Sequence, residues 1–241
     1  MDDLYRFHES QARDQARAVA ELRAGRKVSH WMWYVFPQLG SLGRSPTARH
    51  YGIRDLDEAR AYLADPVLSA NLHGAAEAML AEGAHEDAAE TFQAILGEEP
   101  DNPQAWGGLV RSHLAAGNPD AADAALAQVP AAAAHAVPVE AARAQLALAR
   151  QAANAGPLAD LEQRVAADPA NHQARLDYAA ALHAGGQVEQ AIDQLLESFR
   201  RDRDWNDGAA KAQLLTIFDA LQPTDPLVQK GRRRLSSLIF A

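Results

Sequence analysis

A spacing of 34 residues recurs through the second part of the sequence and limits what the chain can fold into. Three pairs of similar residues lie 34 positions apart: Gly83 and Gly117, Ala88 and Ala122, Phe92 and Leu126. Three more pairs lie 69 positions apart, which is two units of 34 plus one inserted residue: Ala122 and Ala191, Leu126 and Leu195, Pro100 and Pro169. Ala, Leu, Gln, Asp and Glu dominate this part, a composition typical of packed helices. The period therefore predicts a repeated helical unit.

Each recurring residue type has a physical role in a hairpin of two antiparallel helices. The small Ala lets the helices approach closely, and the large apolar residue four positions later fills the gap between them. The Gly permits the turn, and the Pro ends the second helix. Because a tetratricopeptide unit has this same length, we predict an all-α fold. It would be a tetratricopeptide-like solenoid of helical hairpins with a small, mostly helical N-terminal module.

The pattern also predicts where the units lie. Three of them begin near Ser69, Pro103 and His172. A unit at about 137–171 is degenerate, because Gly156-Pro157 falls where the small Ala belongs, so its second helix is expected to be short and to start late. A further apolar helix follows the last unit, and Asp225-Pro226 predicts the start of a terminal helix. That helix is expected to cap the solenoid, whose last unit has no neighbour.

Charge and cysteine content exclude several classes of function. The formal net charge is −9 and the pI is near 5.4, whereas a nucleic-acid binder needs a surplus of Lys and Arg. The absence of Cys excludes disulfides, thiolate metal sites and Cys nucleophiles. The acidic start of the chain lacks a signal-peptide pattern, and no apolar stretch approaches the roughly 18 residues of a membrane span. We therefore expect a soluble, cytoplasmic protein with no nucleic-acid or membrane partner.

From about residue 76 to the end, the chain resembles a known family. Three stretches carry the resemblance: Asp101-Asn-Pro-Gln-Ala-Trp106-Gly-Gly-Leu109, Arg200-Arg-Asp-Arg-Asp-Trp205-Asn-Asp-Gly-Ala-Ala210 and Gly231-Arg-Arg-Arg-Leu-Ser-Ser-Leu-Ile-Phe240. They are similar to the tetratricopeptide region of the chaperedoxins, the thioredoxin-fused bacterial co-chaperones known as CnoX or YbbN. The resemblance implies a co-chaperone that holds unfolded clients and docks on a GroEL-type chaperonin. Because no thioredoxin-like pattern precedes Ser69 and no Cys exists, the redox part of that activity is absent.

The resemblance places the chaperonin contact on the C-terminal helix. The docking residues it implies are Arg232, Arg233, Arg234, Leu235, Leu238, Ile239 and Phe240. Leu235, Leu238 and Ile239 share one helical face, and a short amphipathic helix lays such a face in a partner's groove. The Arg residues would steer the helix toward an acidic rim. The alternative is that this helix caps its own solenoid, with the Arg residues compensating the negative end of its dipole. The two roles are compatible.

The first 72 residues form a different module. Two of the four Trp and four of the five Tyr lie before residue 73. The run Ser29-His-Trp-Met-Trp33, followed by Phe36-Pro-Gln38, resembles the front half of an uncharacterised bacterial family known only as a domain of unknown function. Since the resemblance stops near Leu72, we predict a truncated module at 1–72 and a tetratricopeptide-like domain at 73–241. Such a splice, natural or artificial, leaves apolar faces that must pack on the repeats or stay partly disordered.

Local signals within this module predict three helices. Residues 4–24 have helical periodicity and stop at Gly25. Asp55 with Glu58 forms a capping-box pattern, and Asp65-Pro66 predicts another helix start.

Five residues of the aromatic run are candidate contacts for a polar ligand: Lys27, His30, Trp31, Trp33 and Gln38. The alternative is that His30 is a hydrogen-bonded core residue. The sequence has no phosphate-binding loop, zinc-protease motif or nucleophile elbow. Its nine His are scattered without metal-ligand spacing. We therefore expect no enzyme activity, no metal and no cofactor.

Three hypotheses about function stay open at this point. In the first, the repeats form a protein-binding module with a concave groove, and the geometry of the family that they resemble implies that Gln104, Arg111, Gln173 and His183 face this groove. In the second, the aromatic run makes the chain a small-ligand binder or an enzyme. In the third, the chain is a domain-shuffled product without a selected function. The missing catalytic motifs favour the first hypothesis, with other proteins as the partners.

Overall fold

The computed structural model describes residues 4–240. Residues 1–3 and 241, which the predicted domain bounds and the signal-peptide argument include, lie outside the described residues. Within 4–240 the regular secondary structure is helical, apart from an isolated parallel bridge between Leu39 and Ile53, so the prediction of an all-α fold is confirmed. No helix in this range has the length and apolar character needed to cross a membrane.

Contacts between residues divide the chain into two compact units, Met1–Pro138 (unit 1) and Val139–Ala241 (unit 2). The helices of unit 1 are α1 (Tyr5–Arg23), α2 (Met32–Val35), α3 (Pro46–His50), α4 (Leu56–Ala64), α5 (Pro66–Ala81), α6 (His85–Glu98), α7 (Pro103–Ala115) and α8 (Pro119–Ala127), with a 3-10 turn at Gly40–Leu42. Helix α9 (Val137–Ala155) starts at the division. It is followed by α10 (Leu158–Ala167), α11 (His172–Ala184), α12 (Val188–Arg201), a 3-10 turn at Trp205–Gly208, α13 (Ala209–Ala220) and α14 (Pro226–Phe240).

Short-range signals set the ends of these helices. The side chains of Asp55 and Asp65 cap α4 and α5 by accepting backbone N–H groups, as the sequence predicted. Asn102, Asn118 and Asn171 cap α7, α8 and α11 in the same way. The predicted hairpin turns are confirmed too, because Gly83, Gly117 and Gly186 all adopt positive φ, which glycine reaches without steric cost.

Helix α5 is the centre of unit 1. It packs against α1, α2 and α4 on the N-terminal side of the sequence and against α6 and α7 on the other. The buried side chains Phe7, Trp31, Leu68 and Phe92 come from both sides of residue 72. The sequence-based division at 72/73 therefore falls inside one helix, whereas the contacts divide the chain between Pro138 and Val139. The reason is that α5 serves the N-terminal module and the first hairpin at once.

Unit 2 continues the hairpin pattern. Helix α10 packs on α11, α11 on α12, α12 on α13, and α14 returns to α12. The predicted late start of the degenerate unit's second helix is confirmed, because α10 begins at Leu158, after the Gly156 turn. One apolar cluster runs through these helices, and its fully buried members include Leu161, Leu195 and Leu214.

Candidate functional site

The carboxylate of Glu21, near the end of α1, holds the segment that leads into α2. It accepts hydrogen bonds from the Val28 N–H (2.7 Å), the Ser29 N–H (2.9 Å), the Ser29 hydroxyl (2.6 Å) and the Trp31 indole N–H (2.8 Å). The Ser29 hydroxyl, with the other donors, lowers the pKa of Glu21 to about 2. The carboxylate therefore stays charged, and it fixes the Trp31 ring, which is buried.

A buried polar network ties α1 to α2, α4 and α5. The Gln11 amide donates to the Tyr34 carbonyl (2.6 Å) and the Tyr62 hydroxyl (2.8 Å), and it accepts from the Asn71 amide (2.8 Å). The Tyr34 hydroxyl donates to the Asp14 carboxylate at 2.6 Å. Burial, together with this bond, raises the pKa of Tyr34 to about 12. Because buried polar groups need partners in fixed positions, this network sets the orientation of the aromatic residues.

These constraints leave an open cavity of about 1060 Å³ in unit 1, which we call the aromatic cleft. Its large apolar and aromatic lining residues are Leu22, Trp31, Met32, Phe36, Ile53, Tyr62, Leu63, Leu72, Met79 and Ile95. They come from α1, α2, α4, α5 and α6 and from the segment that contains Ile53. The cleft is thus built by the aromatic run together with the first helical hairpin.

Besides Glu21, charged residues line the cleft in two groups. The acidic group is Glu82, at the end of α5, with Asp87, Glu90 and Glu98 on α6. The basic group is Arg26 and Lys27, in the segment after α1. The ammonium of Lys27 lies 5.7 Å from the centroid of the Trp31 ring, a cation–π distance.

Three of the five predicted ligand contacts meet at this cleft, namely Lys27, Trp31 and Gln38. The other two, His30 and Trp33, are not among its lining residues. His30 is exposed, so the alternative interpretation of His30 as a core residue is wrong. Its position follows from the Glu21 hydrogen bonds, which draw Ser29 and Trp31 inward on either side of it.

The C-terminal helix α14 caps unit 2. Leu235 is buried in the apolar cluster, and Leu238 packs against it. The Arg234 guanidinium pairs with Asp193, and the Lys230 ammonium lies 2.6 Å from the Glu189 carboxylate. A Cβ on Gly231 would lie 2.6 Å from the Phe218 ring, so glycine permits the close approach of α14 to α13.

Not all predicted docking residues are therefore available to a partner. Arg232 lies over the Phe218 ring at 5.8 Å from its centroid and 3.9 Å from the Asp219 carboxylate. Arg233 and Ile239 are exposed, and Phe240 is 86% exposed. The predicted capping role and a surface open to partners thus coexist on one helix.

The four predicted groove residues have different surroundings. In unit 1, Gln104 is exposed and Arg111 forms an ion pair with Glu77 of α5. In unit 2, the exposed Gln173 donates to Asp177 at 2.8 Å. His183 is half-buried, and burial lowers its pKa. Their role in binding stays a prediction.

Comparison with known proteins assigns the front of the chain. A family model described as "Protein of unknown function (DUF1810)" matches residues 1–127, more than half of the chain. The chain belongs to the DUF1810 family. The match to this family includes α6, α7 and α8, so it continues past residue 72, where the sequence resemblance was expected to stop. A second model, described as "Tetratricopeptide repeat", matches residues 151–240 in unit 2.

Two relatives are similar to parts of this DUF1810 member. An uncharacterized protein of Haemophilus influenzae is 34% identical over 98 residues, which are 41% of this chain and 45% of that protein. The chain therefore spans less than half the length of this curated relative. The crystal structure of a conserved hypothetical protein from Mycobacterium tuberculosis has 38% sequence identity and a TM-score of 0.33, with 53% of this chain and 86% of that chain covered.

The sequence analysis did not identify several residues that form the polar network of unit 1 or line the aromatic cleft. Gln11 falls on the apolar stripe of the first predicted helix, but the partners of Gln11, Glu21 and Asn71 come only from the tertiary arrangement. The acidic side of the cleft was missed as well. Its signal was present in the sequence, since Asp87, Glu90 and Glu98 lie on one stripe of α6 at spacings of three and eight residues.

Proposed function

We propose that the chain is a protein-binding module of the co-chaperone type that holds unfolded clients and docks on a GroEL-type chaperonin through the end of α14. The observation that carries the docking proposal is Phe240, a large aromatic residue that is 86% exposed at the end of a helix. The resemblance to chaperedoxins and the tetratricopeptide-like unit 2 support the assignment. The proposal includes no redox step, since the chain has no Cys, and no enzymatic reaction.

The geometry of α14 favours docking in physical terms. Its inner face is held by the burial of Leu235, and the solvent-exposed ion pairs of Lys230 and Arg234 lie beside it. The outer residues Ile239 and Phe240 are thus held on a structured helix, so α14 itself loses less conformational entropy when a partner binds them. An exposed aromatic residue is a common anchor in helix-in-groove complexes. Arg233, also exposed, would add attraction to an acidic rim.

The docking proposal is tested with purified full-length chain and a purified GroEL-type chaperonin in biolayer interferometry. Replacing both Ile239 and Phe240 by Ser is expected to weaken binding by more than about tenfold, because it removes the anchor. The matched control is Leu215→Ser, which changes another exposed apolar residue of unit 2, 41% exposed on α13. The proposal is overturned if the Ile239→Ser/Phe240→Ser variant binds as well as the unchanged chain. It is also overturned if the Leu215→Ser control loses as much binding as that variant.

A second candidate function is ligand binding at the aromatic cleft. One observation favours it: Lys27, Trp31 and Gln38, named from the sequence alone as ligand contacts, line the same cavity. Because unit 1 contains this cleft and unit 2 contains α14, the two functions are testable separately.

A further inference from the structure

The aromatic cleft is large and open enough to admit an extended ligand. Clefts that bind small molecules usually have volumes of about 300–1,000 Å³ and enclose most of the ligand. The aromatic cleft has about 1060 Å³, is open to solvent, and is lined by residues from five helices. Such a trough has room for several side chains of one polypeptide segment.

The apolar side chains that line the cleft can adapt to ligands of different shape. The chain has three Met residues, and two of them, Met32 and Met79, line this cleft. A Met side chain is unbranched and polarizable, so it repacks around ligands of different shape and is common on surfaces that bind many peptides. Phe36, Leu63 and Ile95 provide further apolar surface. This composition suits a ligand whose apolar side chains vary.

The charged residues of the cleft determine which charged side chains a ligand can carry. Asp87 and Glu90 lie three residues apart on α6, so they are neighbours on the helix surface. Within residues 4–240 the carboxylates of Glu82, Asp87 and Glu90 form no ion pair. The carboxylate of Glu98, in contrast, is paired with Arg60 at 3.6 Å. A segment with Lys or Arg side chains would pair with these carboxylates, and an acidic segment would be repelled.

The basic residues of the cleft have a separate role. The Lys27 ammonium lies over the buried Trp31 ring, so the cation position on that ring is taken by the chain's own side chain. Lys27 and Arg26 in turn are hydrogen-bond donors for the carbonyl groups of an extended backbone. A basic polypeptide can thus pair its cationic side chains with the acidic group of the cleft and its backbone carbonyls with Arg26 and Lys27.

We propose that the aromatic cleft binds extended polypeptide segments in which apolar side chains alternate with Lys or Arg. This inference rests on the proposed client-holding function, and it names the site and the client chemistry. The apolar side chains of the segment occupy the region lined by Met32, Phe36, Met79 and Ile95, and its basic side chains pair with Asp87 and Glu90.

The test uses the full chain and a short fluorescent peptide that alternates Leu or Phe with Lys or Arg, followed by fluorescence anisotropy. Glu90→Lys is expected to weaken binding about fivefold, since one attractive contact becomes repulsive. Its matched control, Glu86→Lys, makes the same charge change at an exposed position of α6 that does not line the cleft, and it should leave binding unchanged. Binding should also weaken as salt is raised.

Three results overturn the proposal. One is equal binding of a peptide in which Glu and Asp replace the basic residues. Another is an equal effect of Glu86→Lys and Glu90→Lys. The third is full competition by n-hexylamine, which would identify the site as one for a small organic cation. Chaperonin binding is measured on the same Glu90→Lys protein to separate the two proposals. Docking through α14 should be unaffected by this substitution, so a failure of docking is detected independently of peptide binding at the cleft.

Discussion

At the scale of single residues, charged and polar groups inside unit 1 position the aromatic run. The clearest case is Glu21, whose carboxylate accepts hydrogen bonds from three residues of the following segment, including the indole of Trp31. Gln11 has a similar role deeper in the unit, between the Tyr34 carbonyl and the Tyr62 hydroxyl. The aromatic cleft exists because these bonds hold its rings in place.

Removal of the Glu21 carboxylate should therefore lower the free energy of unfolding by an amount that depends on pH. Its pKa falls from an ordinary value of 4.5 to about 2 in the folded chain. Since the folded value is the lower one, the stabilisation is present above about pH 4.5 and is lost as pH falls toward 2. Glu21→Ala is expected to lower the urea midpoint at neutral pH, and the difference from the unchanged chain should shrink as the pH falls from about 4.5 toward 2. An equal difference at all pH values contradicts this assignment.

Two glycines of the first hairpins should respond oppositely to the same substitution. A Cβ on Gly108 would overlap the buried Phe92 ring, whereas a Cβ on Gly97, inside α6, meets nothing within 4 Å. Gly108→Ala is expected to cost about 1–3 kcal/mol by overpacking. Gly97→Ala should gain about 0.5–1 kcal/mol by restricting the unfolded chain and favouring the helix. Denaturant unfolding measures both, and a gain in the Gly108→Ala variant would show that α6 and α7 are less closely packed.

Residue-level prediction from sequence succeeded where the signal was local. Asp55 and Asp65 were identified as caps because a cap and the N–H groups it accepts are close in sequence. It failed for Gln11, because its partner Asn71 lies 60 residues away and only the packing of α1 on α5 brings them together. The alternative of His30 as a core residue was wrong for the same reason, since Glu21 determines which neighbours turn inward.

At the scale of helices, α14 combines two roles on two faces. Leu235 is buried in the apolar cluster of unit 2, while Phe240 extends into solvent. The sequence left capping and docking as alternatives, because a heptad-like apolar stripe does not distinguish a face that packs internally from one that awaits a partner. The packed positions became clear only from the contacts with Phe218, Asp193 and Glu189.

This division of roles predicts separable effects of substitution. Leu235→Ala is expected to destabilise unit 2 by about 2–5 kcal/mol, the usual cost of truncating a buried Leu. Phe240→Ala should change stability by less than about 0.5 kcal/mol, since the ring is 86% exposed. Guanidinium unfolding followed by circular dichroism compares the two variants. A large stability loss in Phe240→Ala would mean that the ring packs on the chain itself and is not free for docking.

At the scale of the whole molecule, the family match and the compact units give one consistent division. The DUF1810 match ends at residue 127, inside unit 1, and the tetratricopeptide match begins at residue 151, inside unit 2. The repeat period alone could not reveal this, because α5 to α8 keep tetratricopeptide-like spacing while they belong to the family match. A net charge of −9 with an acidic cleft also fits binding of basic segments better than binding of nucleic acid.

The apolar cluster of unit 2 predicts that residues 139–241 fold when expressed alone. Its members extend from Ala144 to Leu235, all within unit 2, and α14 covers the last hairpin as a repeat array requires. We expect helical circular dichroism and a cooperative thermal transition, and Leu235→Ala introduced into the fragment should lower its midpoint because it removes part of that core. A gradual, non-cooperative melt, or a midpoint unaffected by Leu235→Ala, would show that the cluster is not sufficient to stabilise the unit.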